Sequence, residues 1–254
     1  MGLGKYFNVN AEGCSICCKL YADDPAVIRT VVLCGHGFGG NRDNRSAERF
    51  AERLISKNKG VAVIAFDWPC HGSDVRKTLR LEDCSEYLRL MIGFIRATYA
   101  PERLFAYATS FGGYLFLRYI SEEGSPFDAV ALRCPAVKMY ETMTSTMIGE
   151  DDLARIEKGK PVTAGFDRKI KIDAGFMEQL KREDITGRDF TPFADEMLII
   201  QGSADELVAP EPVERFADDN CIICEIVEGA DHVFHDPVKM DKAIAMIASF
   251  FDLK

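Results

Sequence analysis

Short runs of β-branched and aliphatic residues alternate along the chain with longer segments in which apolar residues recur every three or four positions. The runs predict buried strands, and the three-to-four spacing predicts amphipathic helices. The predicted strands cover residues 27–33, 61–66, 104–108, 129–132, 197–201 and 221–227. The predicted helices cover residues 46–57, 84–99, 112–122 and 238–251. This alternation is typical of an α/β domain, in which a mostly parallel sheet carries helices on both faces.

Two further strand-like runs, residues 6–9 and 14–20, come before the first of these strands. A short turn, Asn10-Ala11-Glu12-Gly13, separates them, and this arrangement predicts an antiparallel hairpin. We expect the hairpin to extend one edge of the sheet.

The alternation is interrupted once, over residues 135–190, where charges are mixed and aromatic and methionine residues are scattered. Structureless connections longer than about 15 residues are uncommon. We therefore predict a helical cap subdomain, inserted into a core domain made of residues 1–134 and 191–254. It would lie over the carboxyl ends of the strands, where open α/β sheets bind ligands. A disordered linker is the alternative, and the aromatic and methionine side chains could line a pocket or pack the cap onto the core.

The composition narrows the class of protein and of partner. Of 254 residues, 47% are hydrophobic and 28% are charged, which is typical of a globular domain. The formal charge of -9 and the pI of 5.1 argue against nucleic acid and membranes as partners. A small-molecule substrate fits better, and a homodimer is left open. The first ten residues lack the apolar core of a secretory signal, so we expect a cytoplasmic protein.

Nine cysteines include two pairs with metal-binding spacing, Cys14 with Cys17 and Cys221 with Cys224. Both pairs lie in runs that read as strands, where side chains three residues apart point to opposite faces. We interpret these cysteines as small hydrophobic residues and predict neither a metal nor a cofactor.

Residues 107–113, Tyr-Ala-Thr-Ser-Phe-Gly-Gly, place Ser110 between a predicted strand and a predicted helix. Small residues on either side allow the chain to turn sharply and expose the hydroxyl. Residues 33–40, Leu-Cys-Gly-His-Gly-Phe-Gly-Gly, form a glycine-rich turn after another strand, which can direct a backbone N–H at a developing oxyanion. A phosphate-binding loop is the rival interpretation, but the lysine and Ser/Thr of a P-loop are missing.

The two motifs resemble the nucleophile elbow, G-x-S-x-G, and the H-G-x-G oxyanion loop of the α/β-hydrolases, with Ala108 in place of the first glycine of the elbow. The resemblance implies an α/β-hydrolase fold with Ser110 as nucleophile and the N–H groups of Phe38 and Phe111 as the oxyanion hole. It places a catalytic histidine after the last strand and an acid after the preceding strand. These positions hold His232 and Asp205, in the family's order of serine, acid and histidine.

Neighbouring residues offer alternatives for two of these roles. His235 is the fallback for the base, and Glu206 is the rival for the acid. The other two histidines are assigned to structure: His36 belongs to the oxyanion loop, and His71 lies in a segment that resembles the family's structural turn. The His232 and His235 pair is not favoured as a metal site, because no carboxylate or thiol pattern joins it.

The layout of the whole chain is similar to carboxylesterases that include bacterial cinnamoyl (feruloyl) esterases, and to monoacylglycerol lipases. The resemblance implies a serine hydrolase that cleaves a carboxylic ester of a small or medium soluble substrate through an acyl-enzyme on Ser110. A thioesterase, an acyltransferase or a peptidase could use the same triad. A non-catalytic ligand-binding protein of this fold is the alternative from a different class.

Overall fold

The computed structural model describes residues 4–253, which form ten strands and eight α-helices. The strands are β1 (Gly4–Ala11), β2 (Cys14–Ala22), β3 (Thr30–Gly35), β4 (Val61–Phe66), β5 (Arg103–Thr109), β6 (Ala129–Arg133), β7 (Val162–Ala164), β8 (Ile170–Ile172), β9 (Met197–Gly202) and β10 (Ile223–Val227). The helices are α1 (Arg45–Lys57), α2 (Leu81–Tyr99), α3 (Phe111–Glu123), α4 (Met139–Thr142), α5 (Glu150–Glu157), α6 (Ala174–Arg182), α7 (Pro210–Asp219) and α8 (Pro237–Phe250). None of these helices is both long enough and apolar enough to cross a bilayer.

Eight strands form one sheet in the order β1-β2-β4-β3-β5-β6-β9-β10. Strands β1 and β2 pair antiparallel with each other, and β2 pairs antiparallel with β4. The remaining pairs, from β4 to β10, are parallel. The mostly parallel sheet and the hairpin at its edge are confirmed.

Helices cover both faces of the sheet, and each face has its own hydrophobic core. Side chains of β5 show the division, because Ala106 faces one core while Phe105 and Tyr107 face the other. Every residue of β3, β4 and β9 is buried. Such strands are mostly apolar because neither face meets water, which explains why they were readable as continuous apolar runs.

The observed elements differ from the predicted ones at a few points. The predicted strand at 27–33 begins only at Thr30, because Pro25–Val27 form a 3-10 turn. The last strand begins at Ile223 rather than at Cys221, which adopts a positive φ of 58°. Helix α7 was not predicted, although it buries Val213 and Phe216.

The segment 135–190 consists of three short helices, a π-helical turn at Met143–Met147 and the antiparallel hairpin β7–β8. It is not a structureless linker, because Phe176 and Leu180 of α6 are fully buried in the core on the α2 and α3 face. Phe166, at the turn of the hairpin, is 62% exposed. Most of the apolar side chains of segment 135–190 therefore pack it against the rest of the protein. Its division from the core as a cap subdomain stays a prediction.

Candidate active site

Ser110 is the single residue between the end of β5 and the start of α3. Its backbone has φ 53° and ψ -120°, a conformation that residues other than glycine rarely adopt. Three backbone hydrogen bonds hold it: its amide donates to Arg133 O at 3.1 Å, and its carbonyl accepts from Tyr114 N at 3.1 Å and Ala136 N at 3.2 Å. Strain of this kind is concentrated at functional sites. The sharp turn predicted at this serine is present.

The loop after β3 lies directly against this turn. A Cβ at Gly112 would come 2.6 Å from the carbonyl oxygen of His36, so only glycine lets α3 begin so close to the loop. A Cβ at Gly37 would lie 3.8 Å from the Ser110 hydroxyl oxygen. Within residues 4–253, neither the amide of Phe38 nor that of Phe111 donates a hydrogen bond to the protein. Two free amides are therefore positioned on the two segments that meet at Ser110.

Two buried histidines support the glycine-rich loop. His36 bonds to Gly37 O through Nδ1 at 2.7 Å, and its Nε2 accepts from the amide of Trp68 at 3.3 Å. The Nδ1 of His71 bonds to Pro69 O at 2.8 Å. Burial lowers the pKa of His36, and burial together with the neighbouring His36 lowers the pKa of His71 to about 3. Both rings therefore belong to the framework rather than to proton transfer.

The hairpin β7–β8 packs on the other side of the same loop. Gly39 has φ 74°, and a Cβ there would lie 2.6 Å from the amide nitrogen of Phe166. The amide of Arg168 donates to Gly39 O at 2.9 Å. Its guanidinium donates to Gly72 O at 2.7 Å and to Asp74 O at 2.8 Å. Arg168 thus joins the glycine-rich loop to the turn after β4, a role that no sequence motif indicates.

Asp205 lies in the loop after β9, and its carboxylate is fully enclosed. The Oδ2 atom accepts from His232 Nδ1 at 2.8 Å and from Gln201 Nε2 at 3.1 Å. The Oδ1 atom accepts from the amides of Leu207 at 2.9 Å and Val208 at 2.8 Å. Four donors therefore fix the carboxylate and aim it at one nitrogen of the imidazole. Sequence reasoning missed Gln201, which reads only as the end of a buried strand.

Opposing effects act on the Asp205 carboxyl. Burial raises its pKa, but the hydrogen bond and charge of His232, the amide of Val208 and the thiol of Cys134 outweigh burial and lower the pKa. The carboxylate is therefore ionised at neutral pH. A fixed negative charge beside Nδ1 keeps the proton on that nitrogen and stabilises the ring when it becomes charged.

The rival residues are placed elsewhere. Glu206 is exposed, and its carboxylate makes no hydrogen bond to Asp205 or His232 within the described residues. His235 is 81% exposed at its side chain, and it pairs with Asp231 at 2.8 Å. The structure therefore pairs Asp205 with His232. In the part of the chain that the structure describes, it does not pair His235 with Asp205, and it does not pair Glu206 with His232.

Strand register brings the serine to the same edge of the sheet. Thr109 of β5 pairs with Arg133 of β6, so Ser110 and Cys134 follow neighbouring strands. The sulfur of Cys134, the carboxylate of Asp205 and the ring of His232 each offer an atom within 4.8 Å of the others. No hydrogen bond joins the Ser110 hydroxyl to His232 within the described chain. Cys134, Asp205 and His232 form the one His/Cys/Asp/Glu group in residues 4–253 that could hold a metal ion.

A cavity of about 100 Å³ opens between α3, α4 and α6. Its lining combines apolar and charged side chains: Tyr114, Met139, Tyr140, Glu141, Leu180, Lys181 and Asp184. Tyr114 lies one helical turn after Ser110 and reaches the inserted segment through a hydrogen bond from its hydroxyl to Glu183 O at 2.9 Å. The inserted segment therefore contributes most of the walls of this cavity, and Tyr114 of α3 contributes the rest.

Comparison with known proteins completes this description. The family model of serine aminopeptidase, S33, matches residues 26–159. No curated protein matches the chain by sequence. Est1E from Butyrivibrio proteoclasticus, solved with ferulic acid bound, has a TM-score of 0.73 and 17% identity, covering 97% of this chain and 99% of that one.

Two archaeal structures are also similar. The esterase Pf2001 from Pyrococcus furiosus has a TM-score of 0.71 and 16% identity, covering 98% of this chain and 91% of that chain. The monoacylglycerol lipase from Paleococcus ferrophilus has a TM-score of 0.63 and 19% identity, covering 92% and 97%. These similarities confirm the α/β-hydrolase fold, and the family model covers more than half of the sequence. The chain therefore belongs to the serine aminopeptidase S33 family, and it is a serine hydrolase of the α/β-hydrolase fold.

Proposed function

We propose that the protein is a serine esterase that cleaves a carboxylic ester of a small or medium soluble substrate. Ser110 is the nucleophile, His232 is the general base, and Asp205 orients the imidazole. The N–H groups of Phe38 and Phe111 hold the oxyanion. The cytoplasmic location stays a prediction, which cell fractionation tests, and gel filtration tests whether the protein is a homodimer.

One observation carries this proposal. The enclosed Asp205 carboxylate accepts a hydrogen bond from His232 Nδ1 at 2.8 Å. This bond fixes the tautomer in which Nε2 has a free lone pair, as a base for a serine hydroxyl requires. The base follows β10 and the strained serine follows β5, so both stand at the carboxyl edge of the sheet.

The reaction follows from these positions. The Ser110 oxygen attacks the ester carbonyl while its proton moves to His232 Nε2, and the carbonyl oxygen becomes an oxyanion between the two amides. The proton then passes to the leaving alcohol, and an acyl-enzyme remains on Ser110. Water, deprotonated by the same imidazole, releases the acid. Hydrogen bonds between nucleophile and base often shorten only when substrate binds, which accounts for the open serine-to-histidine contact.

Two similarities favour ester substrates over other acyl compounds. Est1E was solved with ferulic acid bound, and a second similar structure is a monoacylglycerol lipase. The family description names an aminopeptidase, so a peptidase is the second candidate. Both reactions use the same acyl-enzyme chemistry and differ in the leaving group.

Hydrolysis of p-nitrophenyl butyrate by the purified protein tests the proposal, with Ser110→Ala in parallel. Loss of a serine nucleophile costs about 10⁶-fold in well-studied serine hydrolases, so Ser110→Ala has no measurable turnover. Ser121→Ala, which changes a serine on the same helix, is the matched control and keeps the full rate. Aminoacyl p-nitroanilides in the same assay distinguish a peptidase from an esterase.

A fluorophosphonate probe provides a readout that does not depend on the substrate. It labels the wild-type protein and Ser121→Ala, and it does not label Ser110→Ala. Equal turnover by the wild-type protein and Ser110→Ala would show that Ser110 is not the nucleophile. Absence of both labelling and turnover in the wild-type protein would favour a ligand-binding protein of this fold.

A further inference from the structure

Cys134 has no part in the proposed reaction, yet it lies against two of the residues that do. It follows β6 with φ 48°, and its amide donates to Ile200 O at 2.8 Å. The residue is 1% exposed. Its sulfur, a carboxylate oxygen of Asp205 and a ring nitrogen of His232 lie within 4.8 Å of one another.

These three donors match the chemistry of one metal. Zinc prefers thiolate, imidazole and carboxylate ligands in a tetrahedral arrangement, with a position left for water. Ligand distances of 2.0 to 2.3 Å place neighbouring donor atoms about 3.4 Å apart, so the group closes on an ion with shifts of roughly 1 Å. The other carboxylate oxygen is already held by two backbone amides, which keep Asp205 in place.

The balance of charge favours the ion in this enclosed place. A thiolate, a carboxylate and a neutral imidazole around Zn²⁺ sum to zero, and a buried site with no net charge avoids the cost of an unpaired ion. Without metal, burial and the Asp205 charge raise the pKa of the Cys134 thiol, against the opposing effect of Arg133. A bound divalent cation reverses this and deprotonates the thiol outright.

We propose that Zn²⁺ binds reversibly to Cys134, Asp205 and His232 and inhibits the enzyme. The ion replaces the proton on His232 Nδ1 and breaks the hydrogen bond to Asp205. The ring then holds neither the orientation nor the Nδ1 proton that its role as base requires. Binding releases the thiol proton, and the imidazole proton moves from Nδ1 to Nε2, so the affinity increases with pH. The inhibition rests on the proposed function, whereas the binding does not.

The experiment titrates the full-length protein with Zn²⁺ in competition with a chromophoric chelator, and in parallel measures hydrolysis of p-nitrophenyl butyrate. Cys134→Ser keeps a hydrogen-bond donor beside Asp205 but removes the thiolate. Cys221→Ser makes the same change at an exposed cysteine and is the matched control. Co²⁺ serves as a spectroscopic substitute, because a thiolate ligand produces a charge-transfer band that a hydroxyl does not.

We expect one ion to bind the wild-type protein and Cys221→Ser and to inhibit both. EDTA reverses this inhibition. Cys134→Ser weakens both binding and inhibition by at least about tenfold, since even ligands outside the first coordination shell contribute that much. The cobalt charge-transfer band is absent from this variant.

Three outcomes separate the site from the function. Equal affinity, or equal inhibition, in the wild-type protein and Cys134→Ser overturns the zinc site. Binding that depends on Cys134 in a protein without esterase activity supports the site and contradicts the proposed function. Binding that depends on Cys134 without inhibition of an active esterase overturns the proposed inhibition, because His232 could not be both a ligand and the base.

Discussion

Replacing Asp205 with asparagine tests the arrangement around the imidazole, because it removes the charge and keeps the shape of the side chain. The amides of Leu207 and Val208 donate to one carboxylate oxygen, so the asparagine oxygen remains there and its NH₂ group takes the position of Oδ2. That NH₂ group then faces two donors, Gln201 Nε2 and His232 Nδ1. The imidazole can avoid this conflict only by moving its proton to Nε2.

A ring protonated on Nε2 cannot accept the serine proton. The corresponding change in chymotrypsin-type enzymes lowers kcat about 10⁴-fold, and we expect a loss of that order for Asp205→Asn. The second donor, Gln201 Nε2, keeps its bond to Val208 O at 3.0 Å. One buried donor near the variant side chain is left unsatisfied, so the free energy of unfolding decreases by about 1–3 kcal/mol.

Steady-state kinetics with p-nitrophenyl butyrate measure the loss, and urea unfolding measures the stability. Glu206→Gln changes the adjacent, exposed carboxylate and keeps both activity and stability. If Asp205→Asn retains activity within about tenfold of the wild-type protein, the imidazole does not depend on this carboxylate, and the assignment of Asp205 is wrong.

Three further predictions follow from the same contacts. Gly112→Ala forces a Cβ to 2.6 Å from a carbonyl oxygen, so it lowers the activity and lowers the free energy of unfolding by about 1–3 kcal/mol. Gly93→Ala, in the open middle of α2, is the control and raises the free energy of unfolding by about 0.5–1 kcal/mol. Arg168→Ala loosens the glycine-rich loop and lowers kcat by up to about 10²-fold with little change in KM, whereas kinetics show no effect of Lys169→Ala. Because the pKa of Asp205 is lowered in the folded protein, its stabilisation is complete above the ordinary value of about 3.9 and is lost as pH falls through the lowered pKa. The difference in melting temperature between the wild-type protein and Asp205→Asn therefore shrinks below about pH 4, and a difference independent of pH would contradict this origin.

The residues that the sequence identified share one property. Ser110, Asp205 and His232 each follow closely on a strand that is readable as an apolar run, and a motif or a family position marks each of them. Parallel strands carry all three to one edge of the sheet, so their meeting requires only the fold. The alternatives, Glu206 and His235, are separated from them only by exposure and hydrogen-bond partners in the folded chain, which neighbouring positions in a loop do not reveal.

The residues that were missed act through contacts that are distant in sequence. Gln201 is buried at a strand end, where a polar side chain has no local signature. Cys134 lies in no motif, and its position beside Asp205 depends on two separate strand ends. Helix α7 was missed because Pro210 and Pro212 read as turn residues, although proline is tolerated in the first turn of a helix.

The inserted segment supports the chemistry in a way that its sequence does not show. A positive φ at Ser110 costs about 1–3 kcal/mol, and hydrogen bonds to Arg133 and Tyr114 of the core and to Ala136 at the start of the insertion offset this cost. The outer side of the glycine-rich loop is held by the insertion, because Arg168 joins Gly39 to the turn after β4. The serine is thus held mainly through β6 and α3, while the loop that carries the Phe38 amide, a proposed oxyanion donor, contacts the hairpin of the insertion. Changes in that hairpin should therefore affect kcat, although none of its residues is assigned to the chemical step.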